Sequence, residues 1–386
     1  MKPLIIIGTG LAGYTLAKEW RKLVPEGPLI LITADEGNSY SKPMLSTGYA
    51  KGKSADDLIM TTMAAMAVQL KAEIIQNRVL SLNAETRQVS LEDGQVLQGS
   101  EVVLALGADP FRPSLGGDAS ATMHSVNDLG DYRHLQASLS GARRVTILGG
   151  GLIGCEFAHD LRTGGYDIDL VEPAGRLLPS LLPEVASLAL ASALQEQGIR
   201  LHLGQGVSAI NHKGSNLRVT LSHGSVLEAD VVLSAVGLRP RIALAQTVGL
   251  SCQRGIQVNR YLECSVPGWY ALGDCAEVEG LVLPYVLPLM AQARALAKTL
   301  AGNRTAVHYP AMPVVVKTPS CPVVVAPVAA QTEGSWELEA EGGDVRALFY
   351  DPSQRLLGFV LMGRWAQQSA EKSALQKMLP DMLATL

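Results

Sequence analysis

The chain reads as an α/β protein built on two Rossmann-like, three-layer nucleotide-binding units, and two observations predict this. A β run ending in a glycine-rich turn and feeding a helical pattern occurs twice, at Leu4–Gly13 and Val145–Gly154, and each copy leads to a second β run that closes on an acid. Length and composition agree: 386 residues hold two or three domains at roughly 100–200 residues each, and 47% hydrophobic residues supply their cores. Glycine, at 38 residues, is about a tenth of the chain against a usual ~7%, and it clusters beside apolar runs, as in nucleotide-binding turns.

In the first copy, Leu4–Ile7 is the strand, Gly8, Thr9, Gly10, Leu11, Ala12 and Gly13 form the turn, and a helical pattern runs to about Trp20. The second strand, Leu29–Thr33, ends in Ala34 and Asp35. In the second copy, Val145–Leu148 runs into Gly149, Gly150, Gly151, Leu152, Ile153 and Gly154, a helix follows to about Thr163, and Ile168–Val171 ends in Glu172. A lone G-x-G-x-x-G occurs by chance in plain hairpins; two copies in strand-turn-helix context, each with its acid, form a specific pattern. The first glycine permits the turn, the second lets backbone approach a pyrophosphate, and the third lets helix pack on strand. The helix N-terminus then faces the phosphate charge. Asp35 and Glu172 can each accept from a ribose 2′-hydroxyl and would repel a 2′-phosphate, so NADH is expected over NADPH. Arg176 is expected to be an ordinary surface charge.

Thirty-two Lys+Arg against 36 Asp+Glu leave a net charge of −4, and aromatics are 5%, which argues against nucleic acid as a partner. The five cysteines include no C-x-x-C and no histidine at ligand spacing, so free thiols in a reducing cytoplasm, and no metal, are expected. The apolar stretch Leu4–Ala17 is interrupted by glycines and reads as strand and helix rather than a leader. After Glu279 the apolar run is broken by Pro284 and Pro288 and meets Arg294, so no membrane span is expected.

Beyond the fingerprints, three segments resemble the FAD-dependent pyridine nucleotide-disulfide oxidoreductase superfamily: Ala105–Pro110 around Gly107, Ala235–Pro240 around Gly237, and Tyr270–Asp274. In that superfamily the first two resemble the returns between nucleotide domains, and a pair like Gly273-Asp274 places a carboxylate on the FAD ribityl chain. The resemblance implies an FAD domain split into 1–110 and 240–306, an NAD domain inserted at 111–239, and a small C-terminal α+β domain at 307–386. That last domain opens with β runs at Met312–Val316 and Val323–Val328, and Glu371–Leu386 reads as helix. Similar domains carry a dimer contact; with so short a tail, monomer or dimer stays open.

Disulfide reductases of the superfamily carry C-x-x-x-x-C after the second strand, but no cysteine here precedes Cys155, so thiol relay at the flavin is excluded. The segment present, Tyr40–Ser46, resembles the Tyr-x-Arg-Pro-x-Leu-Ser stretch of flavin reductases that serve small iron proteins. Lys42 in place of arginine, Met312–Pro319, and the compact tail with Gly358–Leu361 resemble the rubredoxin-reducing branch. This implies hydride transfer from NADH to FAD N5, then single electrons to rubredoxin, for alkane hydroxylation or disposal of reactive oxygen species. Ferredoxin or a nitric-oxide-reducing flavorubredoxin is the alternative acceptor, and a non-enzymatic FAD/NADH sensor the outside reading.

Ferredoxin reductases usually have lysine just after this Leu-Ser, where Thr47 stands here, so the Lys/Glu pair beside the flavin cannot form from that position. Lys42 is expected to supply the cation and pair with Glu156, the two acting as the catalytic pair near N5. By the same resemblance, Val79 sits at the FAD adenine, the helix from Val286 aims at flavin N1, and Lys317 contacts FAD or the partner. Cys155 and Cys275, though beside these sites, are expected to be buried packing residues. Lys51, Lys53, Lys317 and Arg364 are candidates for a basic docking rim.

Overall fold

The computed structural model describes residues 2–329 and 331–384. Strand β1 (Leu4–Ile7) is four apolar residues buried on both faces, as a central parallel strand requires. Helix α1 (Leu11–Leu23) crosses to β2 (Leu29–Thr33), which lies parallel to β1 with Leu4 opposite Leu29. The sheet order is Trp269–Ala271, Glu101–Leu104, β1, β2, Glu73–Gln76, all parallel. Its first strand is drawn from far down the chain, so the polypeptide leaves this unit and returns to close it.

The second unit repeats the plan. Strand β3 (Arg144–Leu148), helix α2 (Leu152–Thr163) and strand β4 (Asp167–Glu172) follow in order. Its parallel sheet runs Arg200–Leu203, β4, β3, Val231–Ser234. An antiparallel meander, Val207–Lys213, Asn216–Leu221 and Val226–Ala229, covers one face and shares a core of Leu148, Val171, Val219 and Val232. The outgoing and returning chains pair as an antiparallel ladder, Ala108–Pro110 on Leu238–Pro240, between the two units.

Helix α3 (Val286–Leu300) packs on α1, and its early Pro288 sits where a backbone N–H would have no intrahelical partner. The last sheet is antiparallel, ordered Val314–Val316, Val323–Ala326, Leu356–Met362, Asp344–Tyr350, Ser335–Glu341. One face, with Val323, Val325, Ala347, Val360 and Met362, joins the apolar core of the second unit beside Ala186 and Leu190. The other face, with Leu348, Phe359 and Leu361, lies under the helix Ser369–Met378 through Leu375.

The expected fold class holds, with one correction to an element. The C-terminal helix stops at Met378 instead of continuing from Glu371 to the end: Leu379 is extended (ψ 147°) ahead of Pro380, which disfavours helix in the residue before it. The following residues turn back, and Leu383 pairs with Tyr309. The last two residues of that expectation lie outside the described residues. No described helix is long and apolar enough to cross a membrane.

Candidate functional site

The glycines of each turn divide by what surrounds them. Gly8 has φ +114°, and a Cβ there would lie 2.2 Å from the Ala105 carbonyl oxygen; one on Gly13 would lie 1.9 Å from the Gly8 oxygen. The chain itself demands those two. At Gly10 no atom of the described residues comes within 4 Å of the missing Cβ, and Gly151 in the second turn is equally free, between the confined Gly149 and Gly154. Gly10 and Gly151 are also the N-caps of α1 and α2; among the described residues no side chain caps either helix, and neither first turn holds an acid. Two helix N-termini thus present unpaired N–H groups to open space, a cradle fitted to a pyrophosphate.

The strand-end acids stand beside these cradles. The Thr9 hydroxyl donates to Thr33 Oγ1 (2.8 Å), which donates to Asp35 (2.5 Å), tying the first turn to the end of β2. Ala34 and Asp35 are exposed. Glu172 accepts from Gly150 N (2.6 Å) and Ala174 N (2.8 Å), holding its carboxylate against the second turn. Arg176 is turned to the Pro179 carbonyl (3.0 Å). Thr9, Gly10, Leu11, Tyr40 and Lys42 line one continuous cleft. Asn77 N donates to the Thr33 carbonyl (2.7 Å), which brings the turn before Val79 to the same end of β2.

The expected pair between Lys42 and Glu156 does not form. Lys42 Nζ lies 3.7 Å from Asp274 Oδ2, and burial pushes its amine below the ordinary lysine range while Asp274 opposes the shift. Glu156 is fully buried and takes Lys317 instead: its carboxylate accepts from Lys317 N (3.0 Å) and Lys317 Nζ (3.3 Å). Lys317 Nζ also donates to the Pro43 carbonyl (2.5 Å), and the Ser46 hydroxyl donates to Glu156 Oε2 (2.5 Å). The physical reason is that Lys317 brings a backbone N–H as well as an ammonium, satisfying two lone pairs of a carboxylate that water cannot reach. Lys42, on the short turn Lys42–Met44, has the nearer carboxylate of Asp274.

Around this cluster, Gly273 (φ +78°) donates its N–H to Gln292 Oε1 (2.6 Å) on α3, fixing the turn that carries Asp274. Gly107 and Gly237, both at positive φ, answer each other across the ladder: Arg241 N donates to the Gly107 oxygen and Phe111 N to the Gly237 oxygen. Val286 opens α3 half-exposed. Cys155 and Cys275 are buried packing residues, and burial raises both thiols, Cys275 to about 11, so neither is a nucleophile at neutral pH. Arg364 is engaged by Glu341 and Asp344, whereas Lys51 sits in a loop that Asp160 of α2 clamps through Tyr49 N (2.8 Å) and Ala50 N (3.1 Å).

Sequence reasoning missed Ser46, His159, Asp160 and Gln292. A signal was present for three of them. Glu156, His159 and Asp160 are polar residues at i, i+3 and i+4 on a helix whose neighbours Cys155, Phe157, Ala158 and Leu161 are all buried, and such groups must find partners. Ser46 closes the same segment, Tyr40–Ser46, that carries Lys42.

Residues 2–297 match the family described as pyridine nucleotide-disulphide oxidoreductase. The chain belongs to that family. This oxidoreductase accordingly binds a flavin and a nicotinamide nucleotide, and its residues 306–379 match the domain described as rubredoxin binding C-terminal domain. It is 53% identical to the "Rubredoxin-NAD(+) reductase" of Alcanivorax borkumensis over 99% of this chain and 100% of that protein. It is 39% identical to the "Nitric oxide reductase FlRd-NAD(+) reductase" of Vibrio vulnificus over 95% of this chain and 96% of that one. Among solved structures, the ferredoxin reductase for the CYP199A2 system of Rhodopseudomonas palustris superposes with a TM-score of 0.89 at 25% identity, covering 98% of this chain and 95% of its own.

Proposed function

We propose that this oxidoreductase carries electrons from NADH, by way of FAD, to rubredoxin. The observation that carries the proposal is Lys317. It belongs to the segment matching the rubredoxin-binding domain, yet its ammonium reaches Pro43 in the first unit and Glu156 in the second. The domain that would receive the iron protein therefore takes part in one cluster with both nucleotide units.

FAD, when bound, supplies what side chains lack, the acceptance of hydride and the release of single electrons. The chain's own residues bind and orient. The α1 N-terminus, with Gly10 leaving room, would hold the FAD pyrophosphate, Asp35 its ribose and Asp274 the ribityl hydroxyls, and by the family resemblance Val79 would border the adenine. The α2 N-terminus, Gly151 and Glu172 would hold NADH in the same manner, with like charge at Glu172 turning away a 2′-phosphate. An ammonium has three donors; Lys317 commits two, to Pro43 and Glu156, and by the family resemblance the third would face the flavin. The α3 N-terminus at Val286 would direct its positive end toward negative charge on a bound flavin ring. With five free cysteines and Cys155 and Cys275 buried, no thiol is placed to relay electrons, and a reducing cytoplasm suits the chain.

The test is NADH oxidation by the purified yellow protein, read through cytochrome c with rubredoxin or a plant-type ferredoxin added. Fast turnover with rubredoxin alone is expected. Turnover only with ferredoxin would overturn the acceptor, and failure of NADH to bleach the flavin would overturn the reductase reading. A second acceptor, the rubredoxin module of a nitric-oxide-reducing flavoprotein, is favoured by the Vibrio relative's coverage and belongs in the same assay.

A further inference from the structure

We propose that Ser46 is a positioning residue of the electron-transfer site: its hydroxyl orients the Glu156 carboxylate and, through it, the Lys317 ammonium. The inference rests on the reading above, in which the third donor of Lys317 would face the flavin.

Three segments meet here in a closed ring. Lys317 Nζ bridges the Pro43 carbonyl and Glu156 Oε2, and that same Oε2 accepts from Ser46, three residues beyond Pro43 in the chain. Ser46 is 3% exposed and Glu156 0%, so no solvent molecule substitutes freely for either partner. Of the two hydrogen bonds that Oε2 accepts, the one from Ser46 at 2.5 Å is much shorter than the one from the ammonium at 3.3 Å. The serine thus occupies one lone pair of that oxygen, and the ammonium remains close to Pro43 instead of collapsing onto the carboxylate. Without the hydroxyl, a desolvated anion with a vacant lone pair draws the cation to ordinary ion-pair distance, about 2.8 Å. That displacement would shift the remaining ammonium donor relative to the flavin, and a step that depends on placement slows accordingly.

The experiment is stopped-flow reduction of the bound flavin by NADH in Ser46→Ala, Lys317→Met and the double variant, with the melting temperature recorded for each. Ser46→Ala is expected to lower the limiting rate about tenfold while the NADH dissociation constant moves less than about twofold. In the Lys317→Met background the serine change is expected to add less than about twofold, because its effect runs through that lysine. Ser46→Thr, which keeps the hydroxyl, is expected to retain the rate to within about threefold. The inference is overturned if Ser46→Ala reduces at the wild-type rate, or if its loss multiplies undiminished with that of Lys317→Met. Should Ser46→Ala lose its flavin, Ser46→Thr decides: a retained rate supports the hydroxyl's role and a tenfold loss overturns it. Wild-type flavin that NADH does not bleach overturns the underlying reading, whereas bleaching with no difference in Ser46→Ala overturns this inference alone.

Discussion

Gly10 and Gly13 share one turn for different reasons, and substitution separates them. A Cβ on Gly13 would meet the Gly8 carbonyl at 1.9 Å, so Gly13→Ala must push helix from strand, a loss of about 3 kcal/mol or more in the apoprotein. A Cβ on Gly10 meets nothing, so Gly10→Ala is expected to cost the apoprotein less than about 1 kcal/mol and yet weaken flavin binding by on the order of a hundredfold, about 2.7 kcal/mol. Denaturant melts of the apoprotein beside flavin titration check both; equal behaviour of the two variants would sink the distinction. The spacing of these glycines was legible because a phosphate cradle is local. The partner of Glu156 was not, because it is a distance between three segments brought together only by folding. Thr47 in place of lysine signalled that the cation had to come from elsewhere, but nothing in the sequence distinguished nearby Lys42 from distant Lys317.

At the scale of elements, α2 does more than begin a nucleotide site. Glu156, His159 and Asp160 lie along one face and reach out of the second unit, to Ser46 and Lys317, to Ser320, and to Tyr49 and Ala50. Asp160→Ala leaves two N–H groups of the 48–52 loop without their acceptor, an expected loss of about 2 kcal/mol in a denaturation curve; a loss under about 0.5 kcal/mol would mean the loop is held by other contacts. His159 is buried, its Nε2 accepts from Ser320 N (3.3 Å), and burial pushes its pKa below the ordinary 6.5. The folded state then binds fewer protons than the unfolded one in that range. Stability therefore rises with pH up to about 6.5 and is lost as pH falls below it toward the depressed value. Comparing wild type with His159→Gln at pH 5 and pH 7.5 tests this, since the glutamine variant should lack that share of the pH dependence. The strands and helices around the two glycine turns were readable from period and punctuation, and the start of α3 at Val286 from the family resemblance. The end of the last helix was not, because lysines, leucines and methionines favour helix while the pairing of Leu383 with Tyr309 is a long-range contact.

At the scale of the whole molecule, the C-terminal sheet has no complete core of its own. Val316, Val323, Val325, Val345, Val360 and Met362 are buried against the helices of the second unit, in the same cluster as Leu135, Phe157 and Leu190. Exposing six such side chains, at about 1.5–3 kcal/mol each, costs on the order of 10 kcal/mol, as much as a domain's entire stability of about 5–15 kcal/mol. Helix Ser369–Met378 covers only the opposite face, and Leu383 packs into the first unit's core beside Tyr309. Residues 306–386 made as an isolated fragment are therefore expected to lack a cooperative thermal transition, while in the full chain this sheet and the second unit gain hydrogen-exchange protection together. A sharp melt and dispersed amide spectrum from the fragment would refute the shared core. With the core shared, Lys317 is carried on a sheet that cannot rotate independently of α2, so its bond to Glu156 is set by packing rather than by the docked partner. The ammonium is then already paired with Glu156 before any iron protein arrives, so docking is not needed to form that bond.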